Sequence, residues 1–126
     1  MPPNSIDPPP HRIRLIAAWQ RQCGGSLDRI HLPDRCEPPA VYIRRFNRPS
    51  NLTPGQTVFL HIDLIEGTLQ QIQLNDQKLP EDNLIDLTNL LQPFNELQLH
   101  FASGSTIHLG KNTHLIITPD RRAAAP

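Results

Sequence analysis

Two groups of acidic residues lie close enough in the chain to raise the question of glycoside hydrolysis. Glu81 and Asp82 are adjacent, while Asp34 and Glu37 flank a cysteine in a segment bounded by prolines. Hydrolysis of a glycosidic bond needs two carboxyl groups held roughly 5–9 Å apart across a cleft. Both groups fall in turn-like stretches, where a solvated charge is the ordinary arrangement. The sequence therefore predicts no catalytic residues and no enzyme.

The two cysteines, Cys23 and Cys36, bracket a stretch that also contains His31. Zinc sites usually contain closely spaced cysteine pairs, and this chain has none. It also has no Gly-x-Ser-x-Gly elbow and no glycine-rich phosphate loop. A disulfide between the cysteines would need an oxidising compartment, whereas a reducing one keeps them as thiols. We predict two free thiols, no cofactor and no metal.

Trp19 is the candidate ligand-binding residue. Sugar sites usually offer an aromatic face beside a few fixed polar groups, and this is the only tryptophan in the chain. Five other aromatic residues are present, and three of them, Phe46, Phe59 and Phe101, have the spacing of core residues. Trp19 is therefore predicted either as a stacking platform or as a further core residue.

A pair of histidines is the weaker candidate, for a metal or for a pH-sensitive site. Pairing Phe101 with Ile107 around a loop at 103–105 would place His100 opposite His108, because directly opposed residues of an antiparallel pair share a face. Imidazole is a common metal ligand and titrates near neutral pH. Two unrelated surface histidines are the alternative.

These residues lie on a chain that alternates apolar with polar residues between prolines. Period-two alternation indicates strands, and proline collects at strand ends because it cannot donate to a sheet ladder. Nine runs fit the pattern: 12–19, 28–32, 41–46, 57–65, 69–74, 84–87, 97–101, 106–109 and 114–118. One helical turn is expected at 88–92. Eight or nine short strands predict an all-β antiparallel sandwich.

The 126 residues suit one domain, and its expected bounds are 12–119. The proline-rich segment 1–11 and the segment 120–126 are expected to be disordered tails. No secretory signal and no apolar run of membrane-spanning length is visible, so a cytoplasmic protein with no membrane partner is predicted. The net charge is zero, and Trp19 and Tyr42 are too few for base stacking, so no nucleic-acid partner is expected.

Several short motifs follow one another between residues 12 and 101. Trp19 precedes a Tyr-x-Arg-x-Phe motif at 42–46 and an apolar strand at 58–64. A Leu-Asn turn at 74–75, an Asp-x-Thr-x-x-Leu motif at 86–91 and an Asn-x-Leu motif at 95–97 come next. In order and spacing the motifs resemble the sugar-binding jelly-roll domain of glycoside hydrolase family 2, one of the galactose-binding-like sandwiches.

The resemblance implies a jelly-roll sandwich that binds a ligand without catalysing a reaction. Within it, Arg44 is expected to lay its stem along the sandwich and reach an acidic partner, and Asp86 and Thr88 to accept backbone N–H groups. The sequence departs from the family in two places. Asp76 stands where the family has glycine, and the stretch 80–85, which borders the ligand end in the family, is shortened.

Two functions therefore remain open from the sequence. The first is a non-catalytic binding module of the galactose-binding-like class that takes a carbohydrate or a protein partner through loops at one end. The second is a structural or protein-interaction domain that uses a sheet face or a sheet edge. A polar stripe would suit a wet contact of that second kind, and it comprises Gln71, Gln73, Gln98 and His100. The oligomeric state is left open.

Overall fold

The computed structural model describes residues 10–119, which form thirteen β-strands and no helix. The strands are β1 His11–Arg14, β2 Trp19–Cys23, β3 Ser26–Ile30, β4 Asp34–Cys36, β5 Ala40–Asn47, β6 Val58–His61, β7 Leu64–Glu66, β8 Leu69–Leu74, β9 Gln77–Leu79, β10 Leu84–Asp86, β11 Phe94–Phe101, β12 Ile107–Leu109 and β13 His114–Ile117. The all-β prediction is confirmed, with more strands than the eight or nine expected.

The strands pair antiparallel throughout and form three sheets. A six-stranded sheet has the order β3-β2-β5-β11-β8-β9, a four-stranded sheet the order β1-β13-β6-β10, and a three-stranded sheet the order β4-β12-β7. The longest ladder joins β5 to β11 over eight residue pairs, from Phe94↔Asn47 to Phe101↔Ala40. The sheets together make a sandwich-like arrangement, and the core-facing residues of the strands meet between them.

The core follows the period-two pattern of the sequence. In β11, Leu97, Leu99 and Phe101 are buried while the residues between them are partly exposed. Tyr42 is fully buried and meets Trp19 and Phe101 edge-on, with ring centroids 6.5 and 5.7 Å apart. Each fully buried side chain of this size contributes about 1.5–3 kcal/mol relative to exposure, so this aromatic row is a main source of stability.

Two predicted strands are each divided between sheets. The run 12–19 gives β1 in the four-stranded sheet and the start of β2 in the six-stranded sheet. Between them the chain crosses over, and Ala18 adopts a positive φ of 65°. The run 57–65 likewise gives β6 and β7, which lie in different sheets. The alternation of apolar and polar residues continues through both crossings. A position that faces the core is apolar whichever sheet it belongs to.

Two short strands, β4 and β9, were not predicted. The strand β4 lies in the segment bounded by Pro33 and Pro38, for which the sequence predicts a loop. The strand β9 begins directly after a two-residue turn at Asn75 and Asp76, whose φ angles are 50° and 68°. Both turn residues are left-handed, as a tight hairpin requires. Asp76 therefore adopts the left-handed conformation for which glycine is the usual residue.

The predicted hairpin between residues 97–101 and 106–109 is wrong. The strand β11 pairs with β5 and β8, whereas β12 pairs with β4 and β7 in another sheet. Phe101 and Ile107 are both buried, but they face the core from different sheets. Alternation identified the buried face of each strand correctly and could not identify its neighbour.

The segment predicted as one helical turn, 88–92, forms a hydrogen-bonded turn that is not part of a helix. In it the Leu90 amide donates to the Leu87 carbonyl at 2.9 Å. Asp86 accepts from the Thr88 amide at 2.9 Å, and the Thr88 hydroxyl accepts from the Val58 amide at 2.9 Å. Both backbone-accepting roles expected for these side chains are present. They fix the end of β10 against the start of β6.

The strand β1 already begins at His11. Apart from Pro10 and His11, the tails predicted at 1–11 and 120–126 lie outside the described residues. Within residues 10–119, no helix has the length and apolar character that crossing a membrane would require.

Candidate functional site

An opening of about 650 Å³ lies between the six-stranded and the four-stranded sheets. We call it the inter-sheet pocket. It is lined by Ile13, Leu15, Arg44, Arg45, Phe46, Asn47, Asn75, Phe94, Asn95, Glu96 and Leu115. Small-molecule sites commonly measure roughly 300–1,000 Å³ and combine apolar walls with a few polar groups. The pocket has the size and the mixed lining of such a site.

Arg44 enters the pocket from the core side of β5. Its neighbours across the two adjoining ladders are Trp19 and Leu97, which are fully buried. Because directly opposed residues share a sheet face, the Arg44 side chain lies on the face that packs into the sandwich. Period two also places it in the row of Ala40 and Tyr42. A cation thus occupies a position where the pattern calls for an apolar residue.

The guanidinium of Arg44 lacks the acidic partner that the sequence led us to expect. Its Nη1 donates to the main-chain carbonyl of Arg45, and its Nε is buried without a hydrogen-bond partner. None of the ion pairs formed within residues 10–119 involves Arg44. Burial lowers the pKa of Arg44, since removal from water disfavours the charged form. The pocket therefore contains an uncompensated and partly desolvated positive charge.

Phe94 stands at the mouth of the pocket with 76% of its surface exposed. It is the first residue of β11, and it pairs in register with Asn47 at the end of β5. An exposed aromatic ring beside polar groups is a typical stacking platform. The structure thus places an available aromatic at Phe94, which sequence reasoning did not single out.

Two asparagines, Asn75 and Asn95, form the frame of one side of the pocket. The Asn75 amide nitrogen donates to Asn95 Oδ1 at 2.9 Å, and Asn75 Oδ1 accepts from the Glu96 amide at 2.8 Å. The Asn95 side chain also accepts from the Gln92 amide and donates to the carbonyls of Gln92 and Phe46. Because these bonds tie the side chains to neighbouring backbone, the two asparagines hold the turns that shape the pocket.

The rim of the pocket carries a separate ion pair. Arg45 Nε lies 3.0 Å from Glu96 Oε2, and Arg45 Nη1 donates to Gln20 Oε1 at 2.9 Å. Both charged side chains are well exposed, at 63% and 38%. Because Glu96 neutralises Arg45, the net charge of the polar lining comes from Arg44.

Trp19, the predicted ligand-binding residue, is a core residue. It has no exposed surface, and its indole nitrogen donates to the Leu15 carbonyl at 2.7 Å. A ring enclosed in this way has no face available to a ligand, which corrects the platform hypothesis and leaves the core alternative. Trp19 is enclosed because it begins β2, which lies between β3 and β5 in the six-stranded sheet, and its side chain faces the core.

His100 and His108 do not come together, because β11 and β12 lie in different sheets. His100 Nε2 lies 2.9 Å from Gln98 Oε1 on the outer face of the six-stranded sheet, while His108 pairs in register with Arg35 and Glu66. The metal site suggested for this pair is therefore not assembled. Residues 10–119 contain no group of three or more metal-ligating side chains.

The region around the cysteines forms a polar cluster between sheets. Arg21 Nη1 contacts both carboxylate oxygens of Asp34, at 2.8 and 2.7 Å, and the Tyr42 hydroxyl donates to Asp34 at 2.7 Å. Cys36 Sγ lies 3.3 Å from the Tyr42 hydroxyl. We call Arg21, Asp34, Cys36 and Tyr42 the closed cluster. Asp34 is thus bonded to both Arg21 and Tyr42.

The pKa values of the closed cluster follow from its burial and bonding. Burial raises the pKa of Tyr42, and its bonds to Cys36 and Asp34 raise it further. Burial also raises the pKa of Cys36, which keeps the thiol protonated. The bond to Asp34 raises the pKa of Arg21. All three groups are held in the protonation states they have in water at neutral pH.

The comparisons with known proteins concern the fold. No family model matches the chain, and no curated protein matches it. Among solved structures, the chain is similar to an FMN-binding beta-glucuronidase from Facaelibacterium prausnitzii L2-6, with a TM-score of 0.72 and 17% sequence identity. The match covers 87% of this chain and 23% of the other. The chain therefore has the fold of a β-domain found in a glycosidase and spans about a quarter of that enzyme's length.

Proposed function

We propose that this chain is a non-catalytic carbohydrate-binding domain and that the inter-sheet pocket is its ligand site. The observation that carries the proposal is that an exposed ring, Phe94, and a cation without an acidic partner within residues 10–119, Arg44, both line one cavity of about 650 Å³. Sugars present apolar faces to aromatic rings and hydroxyls to polar groups. The similar fold in a glycosidase supports a carbohydrate-related role.

The order of the pocket residues in the sequence gives separate support. Arg44 and Phe46 belong to the Tyr-x-Arg-x-Phe motif, Asn75 to the Leu-Asn turn, and Asn95 to the Asn-x-Leu motif. Three motifs that lie far apart in the chain thus line one cavity. Their ladders explain the convergence, since β5 and β8 both pair with β11.

The lining of the pocket supports binding without catalysis. Its single carboxylate is Glu96, which is already paired with Arg45. Glycoside hydrolysis commonly uses two carboxyl groups, one of them free to donate a proton. Glu81 and Asp82, the adjacent acidic pair, are exposed and do not line the pocket. We therefore propose that any chemistry on the ligand is performed elsewhere.

A protein partner is the second candidate, and a specific edge favours it. The strand β3 is an outer strand of the six-stranded sheet, and Leu27, its second residue, is 59% exposed. Edge strands present unpaired backbone groups that a further strand can join. A partner of this kind would add a strand beside β3, at the edge of the sheet opposite to the edge formed by β9.

A glycan array with the purified chain tests the first proposal. We expect saturable binding by the wild type and loss of most of it in Phe94→Ala, since stacking on an exposed ring is removed without disturbing the core. Leu27→Ala is the matched control, because it removes another exposed apolar side chain and lies on the edge strand. Unchanged binding in Phe94→Ala, or no glycan binding by folded wild type, would contradict the proposal.

A further inference from the structure

We propose that Cys23 and Cys36 form a reversible disulfide that links the six-stranded sheet to the three-stranded sheet, with a small-molecule disulfide such as oxidised glutathione as the oxidant. Both residues are free thiols in the structure. Cys23 ends β2 and Cys36 ends β4, so a bond between them would join strands of different sheets. This site is separate from the inter-sheet pocket, which neither cysteine lines.

The thiol of Cys23 lies on the core side of the six-stranded sheet. Cys23 is opposed in register by Ala40 of β5, which is buried, and directly opposed residues share a sheet face. Arg21 lies two residues earlier in β2 and therefore on the same face. The Cys23 thiol thus lies beside Arg21 on the face against which the rest of the sandwich packs.

The strand β4 packs its Asp34 and Cys36 side chains against this same face. The two residues are two positions apart, so they share one side of β4. Asp34 bonds Arg21 at 2.7 and 2.8 Å, and Cys36 Sγ lies 3.3 Å from the Tyr42 hydroxyl. Two contacts therefore hold this side of β4 against the side of the six-stranded sheet that carries Cys23.

The two thiols are neighbours in space. Cys23 Sγ donates to the main-chain carbonyl of Glu37, the residue after Cys36, at 3.3 Å. Burial raises the pKa of the Cys36 thiol, and its interaction with the Cys23 thiol raises that pKa further, as expected for two acidic groups in contact. A disulfide forms only where two cysteines face each other at close range. The packing of β4 on β2 supplies that arrangement.

Cys23 is the thiol that a dissolved oxidant reaches first. It lines a second opening, of about 490 Å³, beside the turn between β2 and β3. Gly24 and Gly25 also line this opening, and a Cβ at either glycine would meet no atom within 4 Å beyond its chain neighbours. Cys36 does not line it. The first reaction therefore belongs to Cys23 and the second to Cys36.

The chemistry is thiol–disulfide exchange in two steps. The Cys23 thiolate attacks one sulfur of oxidised glutathione, which forms a Cys23–glutathione disulfide and breaks the S–S bond of the oxidant. The departing glutathione thiolate takes up the proton that Cys23 released. The Cys36 thiolate then attacks Cys23 Sγ and displaces the second glutathione, which takes up the proton from Cys36. The protein loses two electrons and two protons, and one oxidised glutathione becomes two reduced molecules.

The bond would close the chain between the two cysteines into a short loop that contains the edge strand β3. Closing a loop restricts the unfolded chain, and a disulfide typically shifts the unfolding equilibrium by about 30–1,000-fold. By linkage, the folded chain should favour the disulfide over the unfolded chain by the same factor. Oxidation would therefore stabilise the fold, and reduction would remove that stabilisation.

The test equilibrates the wild-type chain in buffers with graded ratios of reduced to oxidised glutathione. After acid quenching and alkylation of the remaining thiols, intact mass counts the disulfides and peptide mapping identifies the linked residues. We expect an internal Cys23–Cys36 bond that excess reduced glutathione reverses. The equilibrium constant for forming this bond should be about 30–1,000-fold larger in the folded chain than in the urea-unfolded chain.

Two single variants test the order of reaction. Cys36→Ser lacks the second thiol, so it should accumulate a mixed disulfide between Cys23 and glutathione. Cys23→Ser is the matched control, and its remaining thiol should react more slowly, because Cys36 does not line the second opening and burial raises its pKa. Equal rates in the two variants would contradict the assignment of the first reaction to Cys23.

Four results with the folded wild type would overturn the proposal. They are the absence of any reaction, mixed disulfides with glutathione at both cysteines without an internal bond, disulfide-linked dimers in place of the internal bond, and an equilibrium constant no larger in the folded chain than in the unfolded one. The proposed carbohydrate-binding function would stand in each case, because it depends on the inter-sheet pocket and on neither cysteine.

Discussion

Arg21 and Arg44 lie on the neighbouring strands β2 and β5, both on the side of the sheet that faces the core, yet their surroundings are opposite. Arg21 is opposed in register by Tyr42 and bonds both oxygens of Asp34. Arg44 is opposed by Trp19 and bonds only a main-chain carbonyl. The pKa of Arg21 is raised, and that of Arg44 is lowered.

The difference shows how the same residue type can serve two purposes in one sheet. In the closed cluster the carboxylate of Asp34 compensates the cation and also accepts from the Tyr42 hydroxyl, so Arg21 joins the strand β4 to the six-stranded sheet although its Nε, like that of Arg44, has no hydrogen-bond partner within residues 10–119. In the inter-sheet pocket no carboxylate of residues 10–119 compensates Arg44, and this residue lines a cavity. A paired cation contributes to the fold, whereas an unpaired one is available for a ligand.

Asp34→Asn should have the largest effect on stability. The substitution keeps the size of the side chain but removes the carboxylate that Arg21 contacts at 2.7 Å, which leaves Arg21 only its longer ion pair with the exposed Asp28 at 3.8 Å. We expect the free energy of unfolding to fall by about 3 kcal/mol, the low end for a broken buried pair, because both side chains retain some exposure. Urea denaturation measures this. Glu96→Gln, which breaks the exposed pair with Arg45, should change it by less than about 1 kcal/mol.

Equal losses of unfolding free energy in these two variants would remove the distinction between the closed cluster and the inter-sheet pocket. A loss for Asp34→Asn no larger than that for Glu96→Gln would mean that Arg21 is solvated in solution. The comparison would then rest on Arg44 alone.

Tyr42→Phe should have an intermediate effect that depends on pH. Removing the hydroxyl deletes its bond to Asp34 and should cost about 1.5 kcal/mol near neutral pH. The folded-state pKa of Tyr42 is raised above the unfolded value of about 10, so the neutral form favours folding. Above about pH 10 the unfolded state loses a proton that the folded state keeps, and wild-type stability should fall by about 1.4 kcal/mol per pH unit.

The fall in the free energy of unfolding at alkaline pH provides the check. It should be shallower in Tyr42→Phe than in the wild type when denaturation curves are recorded from pH 8 to about 11. Because Tyr42 is the only tyrosine of the chain, tyrosinate absorbance follows its ionisation directly. Tyrosinate forming near pH 10 in the folded protein would show that the closed cluster is open to solvent.

Arg44→Met should have the smallest effect on stability, and in the opposite direction. An apolar side chain of similar length removes an unpaired charge from the core side of β5. We expect the free energy of unfolding to be unchanged or raised by up to about 1 kcal/mol. Thermal unfolding measures this. A loss of 2 kcal/mol or more, on the order expected for a broken buried network, would mean that Arg44 supports the fold as Arg21 does.

The sequence predicted the strands and their buried faces well. Period-two alternation identified Leu97, Leu99 and Phe101 as one buried row, and they are 0–2% exposed. It placed the run at 69–74, which is β8 residue for residue. These successes follow from local chemistry, since alternate side chains of a strand point to opposite faces whatever the strand pairs with.

The candidate site was predicted less well. Trp19 was chosen by residue type, and burial between neighbouring strands decided against it. Phe94 was overlooked because it follows proline at the start of a strand, where no pattern marks its exposure. The motif at 42–46 contained Arg44, and a cation in the apolar phase of a strand was the signal that could have identified the site.

The sequence by itself determined that this protein is an all-β sandwich, and it determined which residues of most strands face inward. These properties depend on side-chain period, proline and turn residues, all of which act over a few residues. Tertiary structure alone decided that β11 and β12 belong to different sheets and that, within residues 10–119, Arg21 has a carboxylate partner and Arg44 has none. Those outcomes depend on contacts between residues distant in the chain, which local periodicity cannot specify.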